Sequence, residues 1–184
     1  MDMTAYVSRE DYRSWAQTQP RGRFERIDGR VVRMPAEQLV HVRLKYAVWR
    51  ALDDAILATG LAAQAFGDGV TVEAGPHSDY EPDAVVNLGP EPPLGGLTAP
   101  NPVIVVEVLS PGTQAYDQAG KLAGYFRVAS ILHYLVVSNA RREVVHHRRE
   151  AAGIVSTSVT SGDIVLDPPG ITFSLDQIYL RTGL

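Results

Sequence analysis

The sequence has no cysteine, which excludes a disulfide scaffold and a thiolate metal site and fits a reducing compartment. Nor does it contain an apolar run approaching the length of a membrane span. Its first residues, MDMTAYVSREDYRSW, carry charges where a signal peptide needs an apolar core, so a cytoplasmic protein is the expectation. Positive charge is also short, with 17 Lys and Arg against 21 Asp and Glu for a net charge of −4. That balance argues against a surface coated in phosphate-binding residues, although a local basic face is compatible with an acidic total. The glycine-rich pieces GDG and PLGG lack the spacing and following helix of a nucleotide loop. No serine sits in a nucleophile elbow, so a serine hydrolase has no support.

What is present suffices for one core. The hydrophobic content is 45% over 184 residues, which leaves a second independent domain cramped, and residues 1–184 are read as a single domain. Ser8 with Asp11 three residues on is a variant capping box that opens a helix running to Thr18. In FERIDGRVVRM the Asp28-Gly29 pair favours a type I′ turn, which makes residues 24–34 an N-terminal hairpin. Leu39, Val42, Tyr46, Trp49, Leu52 and Ile56 recur at threes and fours before Gly60 and predict a long helix over 37–59. Strands are expected at 61–66, 70–73 and 84–88. A Pro/Gly-rich loop then leads to a strand at 103–110 and a helix at 113–128. Strands ILHYLVVS and EVVHHRR flank a turn at 139–142, followed by two short strands and a terminal helical turn at 175–180. A strand, a helix and a second aliphatic strand imply a crossover, hence a partly parallel sheet. The fold class is α/β, a sandwich with a mixed central sheet.

The stretch NPVIVVEVLSPGT has the composition of a strand buried on both faces, yet carries Glu107 in its second half. An unpaired buried carboxylate costs several kcal/mol. Alternation puts Val103, Val105, Glu107 and Leu109 on one face, near the strand's carboxyl end, where open α/β sheets keep their ligand crevices. YEPDAVV repeats the pattern, with Asp83 heading an apolar run. Two carboxylates on neighbouring strands repel unless they share a cation, and magnesium takes one or two carboxylates with water and phosphate oxygens. The alternative is that Asp83 caps its strand while Glu107 pairs with an arginine. Asp117, Lys121 and Tyr125, four apart, line one helix face. Asp117–Lys121 is either an ordinary surface pair, or Lys121 points back at the Glu107 strand to hold a water or neutralise negative charge. Free N–H groups near Thr113 would cradle a phosphate oxygen.

The series RFERIDGRVV, a histidine opening a long helix, YEPDAVV, PVIVVEVLSPGT and DQAGKLAGYFRVASILHYLVV resembles the Uma-type restriction endonuclease family of the PD-(D/E)XK nuclease superfamily. The resemblance covers most of the chain, from about Asp11 to the terminal helix. It implies a restriction-endonuclease-like sandwich, a mixed central β-sheet flanked by helices, with a Mg²⁺-dependent phosphodiester cleavage site and Mn²⁺ as a substitute ion. By position, Asp83 stands for the aspartate of the PD element and Glu107 for the second acid, both as metal ligands. The lysine common two residues after that acid is Leu109 here, so Lys121 is the candidate. Glu25, in FERIDG, matches a family glutamate as an additional acid, although Arg26 replaces the usual aliphatic residue beside it.

Other residues carry less. His41 matches a family histidine, but a lone histidine at a helix start is more often a cap or core-edge residue. His146 and His147 are adjacent on a strand, so they point to opposite faces and do not chelate one ion. The leading reading is a metal-dependent endonuclease acting on DNA. The alternatives are a nuclease fold that binds DNA or a protein partner without cleavage, and an interaction module whose acids form ion pairs. DNA affinity draws on several basic residues, and Arg21, Arg23, Arg26, Arg30, Arg33, Arg141, Arg142, Arg148 and Arg149 are the candidates for a basic face. A homodimer would match the two-fold symmetry of a duplex.

Overall fold

A computed structural model describes residues 5–109 and 114–184, the side chains of 114–119 excepted. Helix α1 (Arg9–Gln17) starts at Ser8, whose hydroxyl accepts from the Asp11 N–H at 3.1 Å. Strands β1 (Phe24–Ile27) and β2 (Arg30–Arg33) pair in the register Ile27↔Arg30. Their turn has φ 49° at Asp28 and 78° at Gly29, the two left-handed positions that a type I′ turn demands. Helix α2 (Leu39–Thr59) ends at Gly60, which takes the left-handed conformation at φ 66°.

The packed face of α2 differs from the stripe of large residues in the sequence. Leu44, Val48, Ala51, Leu52, Ala55 and Ile56 are buried, whereas Leu39 and Tyr46 are 82% and 64% exposed and Val42 is exposed too. Apolar residues occur on more than one side of α2, so period alone selects no face. The buried one is the one where Ala51 and Ala55 allow close approach.

The central sheet has six strands in the order β10-β9-β8-β7-β6-β3. These are β3 (Ala63–Gly67), β6 (Ala84–Leu88), β7 (Pro102–Leu109), β8 (His133–Ser138), β9 (Val144–Glu150) and β10 (Gly153–Val159). Only β7 and β8 are parallel, joined across α3 (Gln114–Tyr125); the other pairs are antiparallel. The sheet is therefore mixed and flanked by helices. One face carries Ile104, Val106, Val108, Leu135 and Val137 against α2, and also against β11 (Asp163–Leu166), β12 (Ile171–Ser174) and α4 (Leu175–Tyr179). The other carries Val85, Val105, Tyr134 and Val136 against Tyr125 and Phe126. Three strands follow β9 where the sequence suggests two. No helix among the described residues is long and apolar enough to cross a membrane.

A second sheet, in the order β2-β1-β5-β4, contains the two-residue strands β4 (Val72–Glu73) and β5 (Asp79–Tyr80). Arg26 is fully buried in it. Its Nε lies 2.6 Å from Asp79 Oδ2, and its Nη2 donates to Pro76 O at 3.0 Å. Arg9 binds the other oxygen of Asp79 at 2.6 Å. Alternation then sends Glu25 to the opposite side of β1, which fixes one wall of the site described next.

Candidate active site

A cleft of about 310 Å³ is bordered by Glu25, Asp83, Glu107 and Lys121, together with Glu37 and His41. All four residues singled out in the sequence thus meet in one place. Glu107, on the α3 side of β7, is buried. Its Oε1 accepts from Lys121 Nζ at 3.0 Å and from the Tyr125 hydroxyl at 2.6 Å. Both donors fall on that oxygen because residues four apart share a helix face. Among the described residues, no donor reaches Oε2.

Lys121 also donates to Glu25 Oε1 at 2.9 Å, and the same oxygen accepts from the Glu81 N–H at 2.9 Å. Gly124 explains a glycine inside α3: a Cβ there would meet the Tyr80 hydroxyl at 2.3 Å. The Tyr80 ring stands edge-on to that of Tyr125, with centroids 5.0 Å apart. Asp83 sits just before β6. The pairing Ala84↔Val106 brings it beside Glu107, and its Oδ2 accepts from the Val108 N–H at 2.7 Å.

The two acids titrate differently. Burial, aided by the negative charges of Asp83 and Glu25, pushes the Glu107 carboxyl up to about 7 against the opposing influence of Lys121 and Tyr125. The Lys121 ammonium, shared with Glu25, does not make up for the lost hydration of Glu107. Burial also acts to raise Asp83, but His41, the Val108 N–H and the Lys45 charge hold it below its ordinary value. Burial would lower Lys121, yet Glu107 and Glu25 outweigh it and keep the ammonium protonated well above the usual range.

A second group on the cleft is one the sequence analysis passed over. Lys45 Nζ lies 2.7 and 2.9 Å from the two oxygens of Glu37, 2.6 Å from Asp68 Oδ2 and 3.5 Å from Asp83 Oδ1. Arg23 pairs with Glu37 and with Asp68. His41 Nε2 stands 3.5 Å from Asp83 Oδ2 and 3.9 Å from Glu37 Oε1. The N-cap of α2 is Gln38, so His41 is not a cap. Residues 37, 41 and 45 are spaced by four, the signal that would have found them.

Thr113 and the Asp117 side chain lie outside the described residues, and with them the phosphate cradle and the Asp117–Lys121 pair. Three of the nine arginines are held by interior partners and three more pair with acids at the surface. Besides Arg23 and Arg26, Arg149 donates to the carbonyls of Phe126, Val128 and Ile131. Arg141, Arg142 and Arg148 pair with Glu143, Asp176 and Glu150. Arg21, Arg30 and Arg33 are exposed, and of these Arg33 borders the cleft. His146 and His147 do face opposite ways: His146 Nε2 meets His133 Nδ1 at 2.8 Å, while His147 stacks on Tyr134.

The model of a family named Uma2 and described as "Putative restriction endonuclease" matches residues 9–177. An uncharacterized protein of Synechocystis sp. is 27% identical over 180 residues, covering 94% of this chain and 91% of that protein. Among solved structures, one from Anabaena variabilis described as a "putative nuclease belonging to DUF820" superposes with a TM-score of 0.72 at 14% identity. The match covers 96% of this chain and 99% of that one, and at that identity it speaks for the fold.

Proposed function

The chain belongs to the Uma2 family, and from that premise we propose that its cleft hydrolyses phosphodiester bonds of DNA with Mg²⁺, for which Mn²⁺ substitutes. The observation that carries the reading is the convergence of Asp83, Glu107, Lys121 and Glu25 on one cleft. A lysine bridges two acids there at 2.9 and 3.0 Å. The donor set fits a hard divalent ion: one carboxylate just before β6 and one on the adjoining β7, beside space for water.

In this reading Asp83 and Glu107 would hold the ion, whose chemistry would be to provide positive charge beside the phosphate and to lower the pKa of a bound water. Lys121 keeps its proton and offers it as a hydrogen-bond donor, orienting that water or steadying the negative charge that grows on the phosphate. Glu25 holds the ammonium in place from the far side. Tyr125 donates to Glu107 Oε1 and fixes the rotation of that carboxylate.

The engagement of Arg23, Arg26 and Arg149 by interior partners, with Arg141, Arg142 and Arg148 paired to acids at the surface, favours a second reading, a nuclease fold that binds a partner without cutting it. Nicking of supercoiled plasmid separates the two. The endonuclease cuts with Mg²⁺ or Mn²⁺, stops with chelator and is lost in Asp83→Asn. Binding of DNA with no metal-dependent nicking would support the second reading and overturn the first.

A further inference from the structure

We propose that β10 joins the same strand of a second copy of the chain, antiparallel about a two-fold axis at Ser156, so that the two central sheets continue as one. β10 ends the sheet on one side. It is seven residues long, and every residue from Gly153 to Ser158 is exposed, with Ile154 at 44% and Val155 at 43%. Its sequence, GIVSTSV, holds no charge and no proline, two devices by which proteins keep an exposed edge strand from pairing.

Other edges carry a block. At the far side of the same sheet, the Gly89 N–H donates to Ala62 O, so alternation turns the Ala65 backbone of β3 away from β6. That outward carbonyl accepts from the Trp49 indole at 3.0 Å. In the second sheet the edge strand β2 carries Arg30 and Arg33.

The backbone direction of β10 follows from its neighbour. The Arg149 N–H donates to Leu132 O and the Ser138 N–H to Glu143 O, so the odd-numbered residues of β9 bond towards β8 and the even-numbered ones towards β10. In the register Val155↔Arg148 and Thr157↔His146, Val155 and Thr157 bond inward. Ile154, Ser156 and Ser158 therefore turn their N–H and C=O groups outward, where no other strand lies among the described residues.

A second copy is the occupant that this strand fits. Antiparallel pairing centred on Ser156 sets Ser156 opposite itself, Ile154 opposite Ser158 and Val155 opposite Thr157. All three outward residues of both strands are then bonded, and no like charges meet. Because β3 is blocked, growth stops at two copies, a closed isologous pair. Ser156, His147, Tyr134 and Val105 form one row across the sheet, on the face that carries Glu107. The axis of an antiparallel pair stands perpendicular to the sheet, so the two Glu107 side chains lie on one face of the joined sheet. What that arrangement does for a duplex rests on the nuclease reading; the association does not.

The test is sedimentation equilibrium of the full chain over a rising concentration series, on the wild type, Ser156→Lys, Ser156→Glu and an equimolar mixture of the two variants. The wild type is expected to dimerise. Each variant alone should be monomeric, because it sets two like charges face to face across the axis, and the mixture should regain a dimer with one copy of each. Hydrogen exchange on the wild type needs no variant. The amides of Ile154, Ser156 and Ser158 should slow as concentration rises, while those of Val155 and Thr157 do not change. The inference is overturned if the wild type stays monomeric, if the outward amides exchange at one rate throughout, or if a dimer persists in both variants. If the dimer forms as expected while plasmid is never nicked, the interface stands and the nuclease reading falls.

Discussion

Tyr125 donates its hydroxyl hydrogen to Glu107 Oε1 at 2.6 Å, one helical turn beyond the lysine that takes the same oxygen. Tyr125→Phe removes this bond without touching the charge pair. A hydrogen bond to a charged group contributes about 1.5–3 kcal/mol, so a stability loss in that range is expected from chemical denaturation above pH 7, where the Glu107 carboxyl is ionised. Because the bond lowers the Glu107 pKa, the acidic limb of Mn²⁺ binding should also move to higher pH. An unshifted limb in a folded Tyr125→Phe protein would mean that the tyrosine only packs.

The pH dependence of Glu107 itself has a definite sign. Its carboxyl titrates near 4.5 when unfolded and is held up to about 7 when folded. Between those values the native state keeps a proton that the unfolded chain has released, so stability from this residue falls as pH rises through that window. In chelator, the wild type should lose melting temperature relative to Glu107→Gln from pH 4.5 to 7 and then hold a constant difference. Mn²⁺ affinity should move the other way, falling about tenfold per unit below pH 7, because a ligating carboxylate must release its proton. A difference between the two proteins that is flat with pH contradicts a buried, raised carboxyl.

The buried Arg26–Asp79 pair concerns stability alone. Removing one partner of such a pair leaves the other charge uncompensated and costs about 3–5 kcal/mol. Arg26→Met and Asp79→Leu should each lose that much in urea unfolding, while the double substitution should recover part of it. If Arg26→Met costs under about 1 kcal/mol, within the range of an exposed pair, the arginine is not the anchor of β1.

Much of this was legible before the structure, and particular residues show why. The Asp28-Gly29 turn follows from backbone sterics that only a few dipeptides satisfy, and the register of β1 and β2 comes with it. Glu107 announced itself by being charged in an aliphatic strand, and alternation gave its face. The i, i+4 spacing on α3 then brought Lys121 and Tyr125 to one side, where the structure puts both against Glu107. The packed face of α2 was not legible, because Leu39, Val42 and Tyr46 keep helical period as well as the buried residues do. Strand β5 is two residues long, too short to show any period. The fate of the arginines depends on partners distant in sequence: Arg26 finds Asp79, 53 residues on, and no local pattern signals it. The cleft-facing set of residues 37, 41 and 45 was legible in its spacing by four, but only His41 drew notice, as a lone histidine, and Glu37 and Lys45 were passed over.

Lys121→Ala tests the central claim most directly, by isothermal titration with Mn²⁺ alongside plasmid nicking. If the lysine acts on water or phosphate while Asp83 and Glu107 hold the ion, the variant should bind Mn²⁺ no more weakly than the wild type. It should nick plasmid slower by on the order of 10²-fold to 10³-fold, as when one transition-state electrostatic contact is removed. Nicking at the wild-type rate would contradict the account, as would loss of metal binding and nicking in step with the folded fraction.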